Sequence, residues 1–281
     1  GFNDYWVGKF DANGDTMWTR TYGGSLDDHC AFIDVTADGG YILSGWTLSN
    51  NGDIASGNNG LFDYWIVKID GSGNIVWETT LGGSGLDLGG TVVEDGGNFI
   101  IGGVSQSTDG DITSGNNGSF DYWIVKLDGG TGAMMAQQNF GGSVADGMAG
   151  MIKASNGNYL ICGATESSDG DISSTHGGSE AWVIEIDANL NLVWEHAYGG
   201  SGADGAAVII ETTPGTYLIT GPADSNDGDV SGGHGDTDFW VAEIGGQPTC
   251  GQPMNMTTTN AQPDRVTLNW DAVSGATGYQ I

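Results

Sequence analysis

The chain has 281 residues, of which 36 are acidic and 6 basic, for a formal net charge of −30. A field this negative repels nucleic-acid phosphate and anionic membrane surfaces, and no apolar run approaches the roughly 20 residues of a membrane span. Glycine fills 52 positions without the three-residue period of collagen, the Gly, Asp and Asn richness is wrong for a helical bundle, and 10 Trp, 9 Tyr and 8 Phe are too many aromatics for a chain that never packs a core.

The first segment, DYWVGKF at Trp6, returns as DYWIVKI at Trp65, DYWIVKL at Trp123, EAWVIEI at Trp182 and DFWVAEI at Trp240. The spacings are 59, 58, 59 and 58 residues. Each segment alternates as a strand does: Trp65, Val67 and Ile69 point one way, Tyr64, Ile66 and Lys68 the other. Twelve residues after each Trp stands Trp18, Trp77, Met135 or Trp194, at the end of a second predicted strand. Met135 departs from the pattern, as do Ala181 and Glu185 in EAWVIEI. A GGS-x-x-D segment follows and brings Asp28, Asp87, Asp146 and Asp204 into register. Next comes a glycine-turned hairpin, as in AFIDVTADGGYILSGW, because Gly and Asn reach the positive φ of tight turns. A polar loop closes each unit: NNGDIASGNNG, TDGDITSGNNG, SDGDISSTHGG and NDGDVSGGHGD.

Four units cover residues 4–237 and a fifth begins at Asp238. Four antiparallel strands per unit is the content of a β-propeller blade, with the DGD stretch as an unusually long loop. The predicted fold is therefore all-β, a propeller of four-stranded blades over residues 1–245. Four units plus one strand make seventeen strands, which suits five blades if three strands precede Gly1. The DFW strand at Trp240 would then complete a blade begun upstream. No signal peptide is visible at Gly1, so an export signal is expected to have been removed or to lie outside these residues.

Periodicity ends after Ile244. Residues 246–253 lie in GGQPTCGQP and read as a linker. In 254–281, Val266, Leu268 and Trp270 alternate as a strand. This stretch resembles the opening of a fibronectin type III domain, with an Ala-x-x-Tyr segment from Ala276 to Tyr279. Such a sandwich takes roughly 100 residues, so only its start is present.

The repeats, quoted as DYWIVKIDGSGNIVWETTLGGSGLD, EDGGNFIIGG and DGDITSGNNG, resemble the β-propeller repeats of large secreted proteins of Bacteroidetes-type bacteria. The resemblance covers nearly all of residues 1–281. It implies export by type IX secretion, a cell-surface or extracellular location and appended fibronectin type III domains, more firmly than any activity. It also implies that Cys250 pairs with a cysteine beyond Ile281.

Two repeated acid sets are the candidate sites. In the DGD loops, Asp53, Asp109, Asp111, Asp169, Asp171, Asp227 and Asp229 offer carboxylates two apart, with Asn58, Asn116, His176 or His234 five residues after the second acid. Ca²⁺ takes six to eight oxygens and such loops can supply them, although the spacing is not that of an EF-hand. The same residues equally serve as turn formers whose side chains cap backbone N–H groups. The second set, Asp28, Asp87, Asp146 and Asp204, would line one end of a ring and bind polar ligands such as sugars, or tie loops to neighbouring blades. Lys9, Lys68 and Lys126 facing Glu185 and Glu243 would add ion pairs around the ring. The repeated Trp residues read as inter-blade core.

Catalytic signatures are lacking. No G-x-S-x-G, HExxH or P-loop occurs, and His29, His176, His196 and His234 have no metal-ligand spacing. Cys30 and Cys162 read as buried free thiols on strands. The expected function is a non-catalytic, secreted or cell-surface scaffold or adhesin that binds extracellular protein or glycan and can self-assemble through unpaired strand edges. The alternatives are a carbohydrate-binding module with one site per blade, or the accessory region of an extracellular hydrolase.

Overall fold

The computed structural model describes residues 1–245 and the strands at 257–262 and 265–269. Within these residues the protein is all-β, without helix. Strands β1 (Tyr5–Phe10) and β2 (Thr16–Tyr22) form a two-stranded sheet. Three four-stranded antiparallel sheets follow. They are β3 (Asp28–Val35) to β6 (Ile75–Leu81), β7 (Asp87–Asp95) to β10 (Met134–Phe140), and β11 (Asp146–Lys153) to β14 (Leu192–Tyr198). Each runs in sequence order, as a meander. A three-stranded sheet, β15 (Val208–Thr213), β16 (Thr216–Ala223) and β17 (Asp238–Gly245), completes the series. Contacts join each sheet to the next, and no ring closes among the described residues.

The sheets do not coincide with the sequence units. Each takes the hairpin of one unit and the DYW strand of the next, so that Gly45 of β4 (Tyr41–Thr47) pairs with Trp65 of β5 (Asp63–Ile69). The DGD loop is thus the connection between the second and third strands of a sheet. By the same rule β17, the DFW strand, pairs with β16 rather than finishing a blade begun before Gly1.

The sequence DYWIVKI is buried on both faces, because a sheet lies on either side of β5. Tyr64 packs on Trp123 of the next sheet, ring centroids 4.7 Å apart, and its hydroxyl donates to the Trp123 carbonyl at 3.0 Å. Tyr5 meets Trp65 and Tyr122 meets Trp182 in the same way, at 4.5 and 4.6 Å. The approach requires glycine on the neighbouring strand: a Cβ on Gly103 would stand 2.2 Å from the Leu88 carbonyl oxygen and 2.6 Å from the Tyr64 hydroxyl. The indole N–H groups of Trp65, Trp123 and Trp182 donate to Glu78, Gln137 and Glu195. Trp65, Trp123 and Trp182 are core between sheets, as the pattern suggests, while Trp240 is half-buried. Trp6, on the outer face of the first described sheet, is 60 % exposed.

The Trp position on the second strand of the pair shows a compensated substitution. Trp18 and Trp77 lie over Gly73 and Gly132 in the turns of the following sheets, and their N–H groups donate to Gly71 and Gly129 carbonyls. In the next copy it is Ala136, not Met135, that stands opposite Lys126, as Trp77 stands opposite Lys68. The turn closed by Asp128 N–H and the Ala133 carbonyl is one residue longer than the one closed by Asp70 and Asn74, which shifts Met135 onto an exposed face. Opposite the small Ala136, the following turn replaces Gly with Leu190, buried at φ 65° in the same core cluster. The large side chain has moved across the interface, at the cost of a left-handed backbone at a non-glycine residue.

Two further expectations change. Lys68 is buried and pairs with Asp38 in the β3–β4 turn at 2.9 Å, not with a glutamate around a ring. Lys126 donates to the Ala188 carbonyl, and Glu185 accepts from Asn156, Asn158 and Trp194. Cys162 is a buried free thiol, but Cys30 is free and exposed. At the matching position Gly89 sits 2.5 Å, measured from an ideal Cβ, from the Gly45 carbonyl of the preceding sheet. The sheet before Cys30 has only β1 and β2, and nothing comparable covers the thiol.

Contacts separate Gly1–Glu243 from Ile244–Ile281 as two units. In the second, β18 (Thr257–Gln262) and β19 (Arg265–Asn269) form an antiparallel hairpin, with Val266 and Leu268 on β19. The expected linker at 246–253, Cys250, Trp270 and the Ala276–Tyr279 segment lie outside the described residues.

Candidate functional site

The recurrent acids converge on the GGS loops that connect one sheet to the next. Asp87 begins β7 and is fully buried. One carboxylate oxygen accepts from the Ser105 hydroxyl; the other accepts from Ser107 Oγ at 2.7 Å and from the Gly83 N–H at 2.8 Å. Asp28 and Asp146 repeat the arrangement with Thr47, Ser49 and Gly24, and with Thr165, Ser167 and Gly142. In the fourth copy Ala223 replaces the first hydroxyl, and Asp204 accepts from Ser225 Oγ, the Ser225 N–H and the Gly200 N–H. These four acids are at most 3 % exposed, so they present almost no surface to a dissolved ligand. Their hydrogen bonds lock each inter-sheet connection onto the hairpin that follows it.

The DGD acids hold the same loop from the opposite side. Asp109 accepts from the Ser84 N–H at 2.8 Å, and Asp111 from the Gly82 N–H at 3.1 Å. Asp169 and Asp171 bind Ser143 and Gly141 N–H groups, and Asp227 and Asp229 bind those of Ser201 and Gly199. In the first copy Asn51 and Asp53 bind Ser25 and Gly23. The two-residue spacing of the acids thus matches two backbone donors two residues apart in the GGS loop. The glycine between the acids is required: Gly110 has φ 66°, and a Cβ there would lie 2.4 Å from the Gly82 carbonyl oxygen. Accepting these bonds as anions holds Asp109, Asp169 and Asp227 below the usual carboxylate range. Among the described residues no group of three or more His, Cys, Asp or Glu side chains is disposed to hold a metal ion.

Asn58 and Asn116 also serve the loop, donating to the Thr47 and Leu61 carbonyls and to those of Ser105 and Ser119.

A third set of acids completes each cluster and was not singled out by sequence reasoning. Asp63 and Asp121, the first residues of β5 and β9 (Asp121–Leu127), are fully buried. One oxygen of each accepts a backbone N–H, from Asn59 at 2.6 Å and from Asn117 at 2.8 Å. The other, Oδ1, is buried without a hydrogen-bond partner. An ideal Cβ on Gly82 would lie 2.4 Å from Asp63 Oδ1 and 2.7 Å from Asp87 Oδ2, so two carboxylates crowd one glycine. Burial, reinforced by the neighbouring charges of Asp87 and Asp111, pushes Asp63 up to about 7. Burial with Asp146 and Asp171 nearby pushes Asp121 to about 6. In the next copy Glu180 takes this place and His176 replaces Asn117; the His176 Nδ1 stands 3.1 Å from Glu180 Oε2, supplying the partner that Asp63 and Asp121 lack. The available signal was the acid two residues before each repeated Trp, a polar residue at the edge of the most apolar strand in the unit.

Chemically, each cluster is a carboxylate clamp on backbone amides. Its members recur in near-equivalent form from copy to copy. No protein-family model matches the chain, and comparison with curated proteins finds no match.

Proposed function

We propose that the sheets are blades of a β-propeller-type array and that the protein is a secreted or cell-surface scaffold, holding extracellular protein or glycan partners without catalysis. The observation that carries this reading is the use of the recurrent acids. The four GGS-x-x-D acids and the seven DGD-loop acids each accept hydrogen bonds within their own loop clusters. Side chains spent in this way rigidify connections rather than turn over a substrate. The resemblance of the repeats to those of exported surface proteins supports the location. Net charge far from zero keeps such a surface soluble.

Probing the labelled chain against a glycan array and immobilised extracellular-matrix proteins tests the reading, with glycan and peptide hydrolysis followed in parallel. Binding without turnover is the expected result. Turnover of either substrate class, or binding to neither surface, overturns it.

A further inference from the structure

One internal junction is bridged by a titratable side chain where the two before it use neutral amides. Asn59 and Asn117 stand four residues before Asp63 and Asp121 and reach toward the next connection. Asn59 Nδ2 lies 3.5 Å from the Gly82 carbonyl oxygen and from Asp111 Oδ2, and Asn117 Nδ2 lies 3.4 Å from the Gly141 carbonyl oxygen. In the third sheet this place belongs to His176, four residues before Glu180. Its two ring nitrogens face two different segments. Nδ1 is 3.1 Å from Glu180 Oε2, at the start of β13 (Glu180–Ile186), and Nε2 is 3.9 Å from Asp229 Oδ2, in the DGD loop between β16 and β17. Asp229 and its neighbour Asp227 hold the Gly199 and Ser201 N–H groups, so the imidazole ties the third sheet to the clamp on the connection into the fourth. The groups around the ring are all acids. Glu180 and Asp229 face it directly and Asp227 stands behind. Asp204 stands beside Glu180: an ideal Cβ on Gly199 would lie 2.8 Å from Asp204 Oδ2 and 3.0 Å from Glu180 Oε2. Glu195 on β14 accepts instead from the Ser173 and Trp182 N–H groups. Among the described residues no Lys or Arg forms an ion pair with any of these five acids.

We propose that the joint between the third and fourth sheets is a pH-operated latch, closed by protonated His176 and loosened when the ring is neutral. An imidazolium has two N–H donors and a positive charge, so it serves Glu180 and Asp229 together. A neutral ring keeps one donor, and one of the two carboxylates then faces a lone pair. Deprotonation also strips the fully buried Glu180 of the one countercharge beside it. The hydrogen bond to Glu180 raises the proton affinity of the ring above the ordinary histidine value of 6.5. The stability from this contact is therefore complete below pH 6.5 and is lost as the pH rises through the higher value of the folded state. The inference does not depend on the proposed function.

The test is amide hydrogen exchange of the full chain by NMR from about pH 5.5 to 8.5, corrected for the intrinsic pH dependence of exchange, beside a titration of the His176 ring. In the wild type, protection of the Gly199 and Ser201 N–H groups should fall about threefold, with the midpoint of the ring. His176→Gln still offers Glu180 a side-chain N–H but does not titrate, so protection there should stay level. In Glu180→Gln the ring titrates at lower pH, and the loss of protection should move down with it. The Gly82 and Ser84 N–H groups of the first junction should exchange as in the wild type in both variants, which separates a loosened joint from a lost fold. Protection that ignores the ring's titration, an unchanged pH dependence in His176→Gln, or a midpoint that stays in place in Glu180→Gln overturns the inference.

Discussion

Replacing Asp63 by Asn removes a charge that the fold holds unfavourably. The Asp63 side chain has no exposed surface, its Oδ1 has no partner, and its pKa rises from 3.8 to about 7. The folded state therefore binds the proton more tightly than the unfolded chain. The stability this supplies is complete below pH 3.8 and is lost as the pH rises through about 7. At about 1.4 kcal/mol per pK unit, the group alone accounts for a loss on the order of 4 kcal/mol across that interval. For a domain of this size that is about 10 °C in melting temperature. The Asn59 N–H keeps an acceptor in Asp63→Asn, and the new amide N–H₂ occupies the place of the orphan oxygen beside Asp87. The assay is thermal unfolding at intervals from pH 4.5 to 8. Wild-type stability should fall with rising pH over this range. The substitution should flatten that slope and raise the melting temperature at pH 8. General charge repulsion acts on both proteins, so the difference between them isolates the site. A variant less stable than wild type at pH 8 by as much as at pH 4.5 would refute the reasoning.

Other perturbations address the clamp and the packing. Asp87→Ala leaves the Gly83 N–H and the Ser105 and Ser107 hydroxyls without their acceptor in a buried site, and should cost about 3 kcal/mol in urea denaturation. Leu190→Gly relieves a left-handed backbone but empties the space beside Ala136, for a net loss of about 2 kcal/mol. Adding Ala136→Trp should recover most of it, a coupling that a double-mutant cycle in urea would measure. Because the DGD acids already bind backbone donors, EDTA and then Ca²⁺ should leave the melting temperature unchanged; a rise with Ca²⁺ that Mg²⁺ does not reproduce would make these loops metal sites.

The sequence by itself determined the repeat, the all-β class and the strands, because a two-residue alternation of large apolar side chains in every copy admits no other regular structure. It also marked the acids at Asp28, Asp87, Asp146 and Asp204 and in the DGD loops, since their register is visible as spacing. Only the tertiary structure decided which strands share a sheet: pairing β4 with β5 across the DGD loop depends on where that loop is clamped, which no local pattern encodes. The same holds for Asp63 and Asp121, which look like strand-edge residues until three segments far apart in the chain bring other carboxylates against them. Burial of Cys30 failed as an expectation because exposure belongs to the neighbouring sheet, and the displacement of Met135 by Ala136 followed from one extra residue in a turn. Strand identity is set within a few residues of chain; sheet membership, burial and proton affinity are set by what packs on the other side.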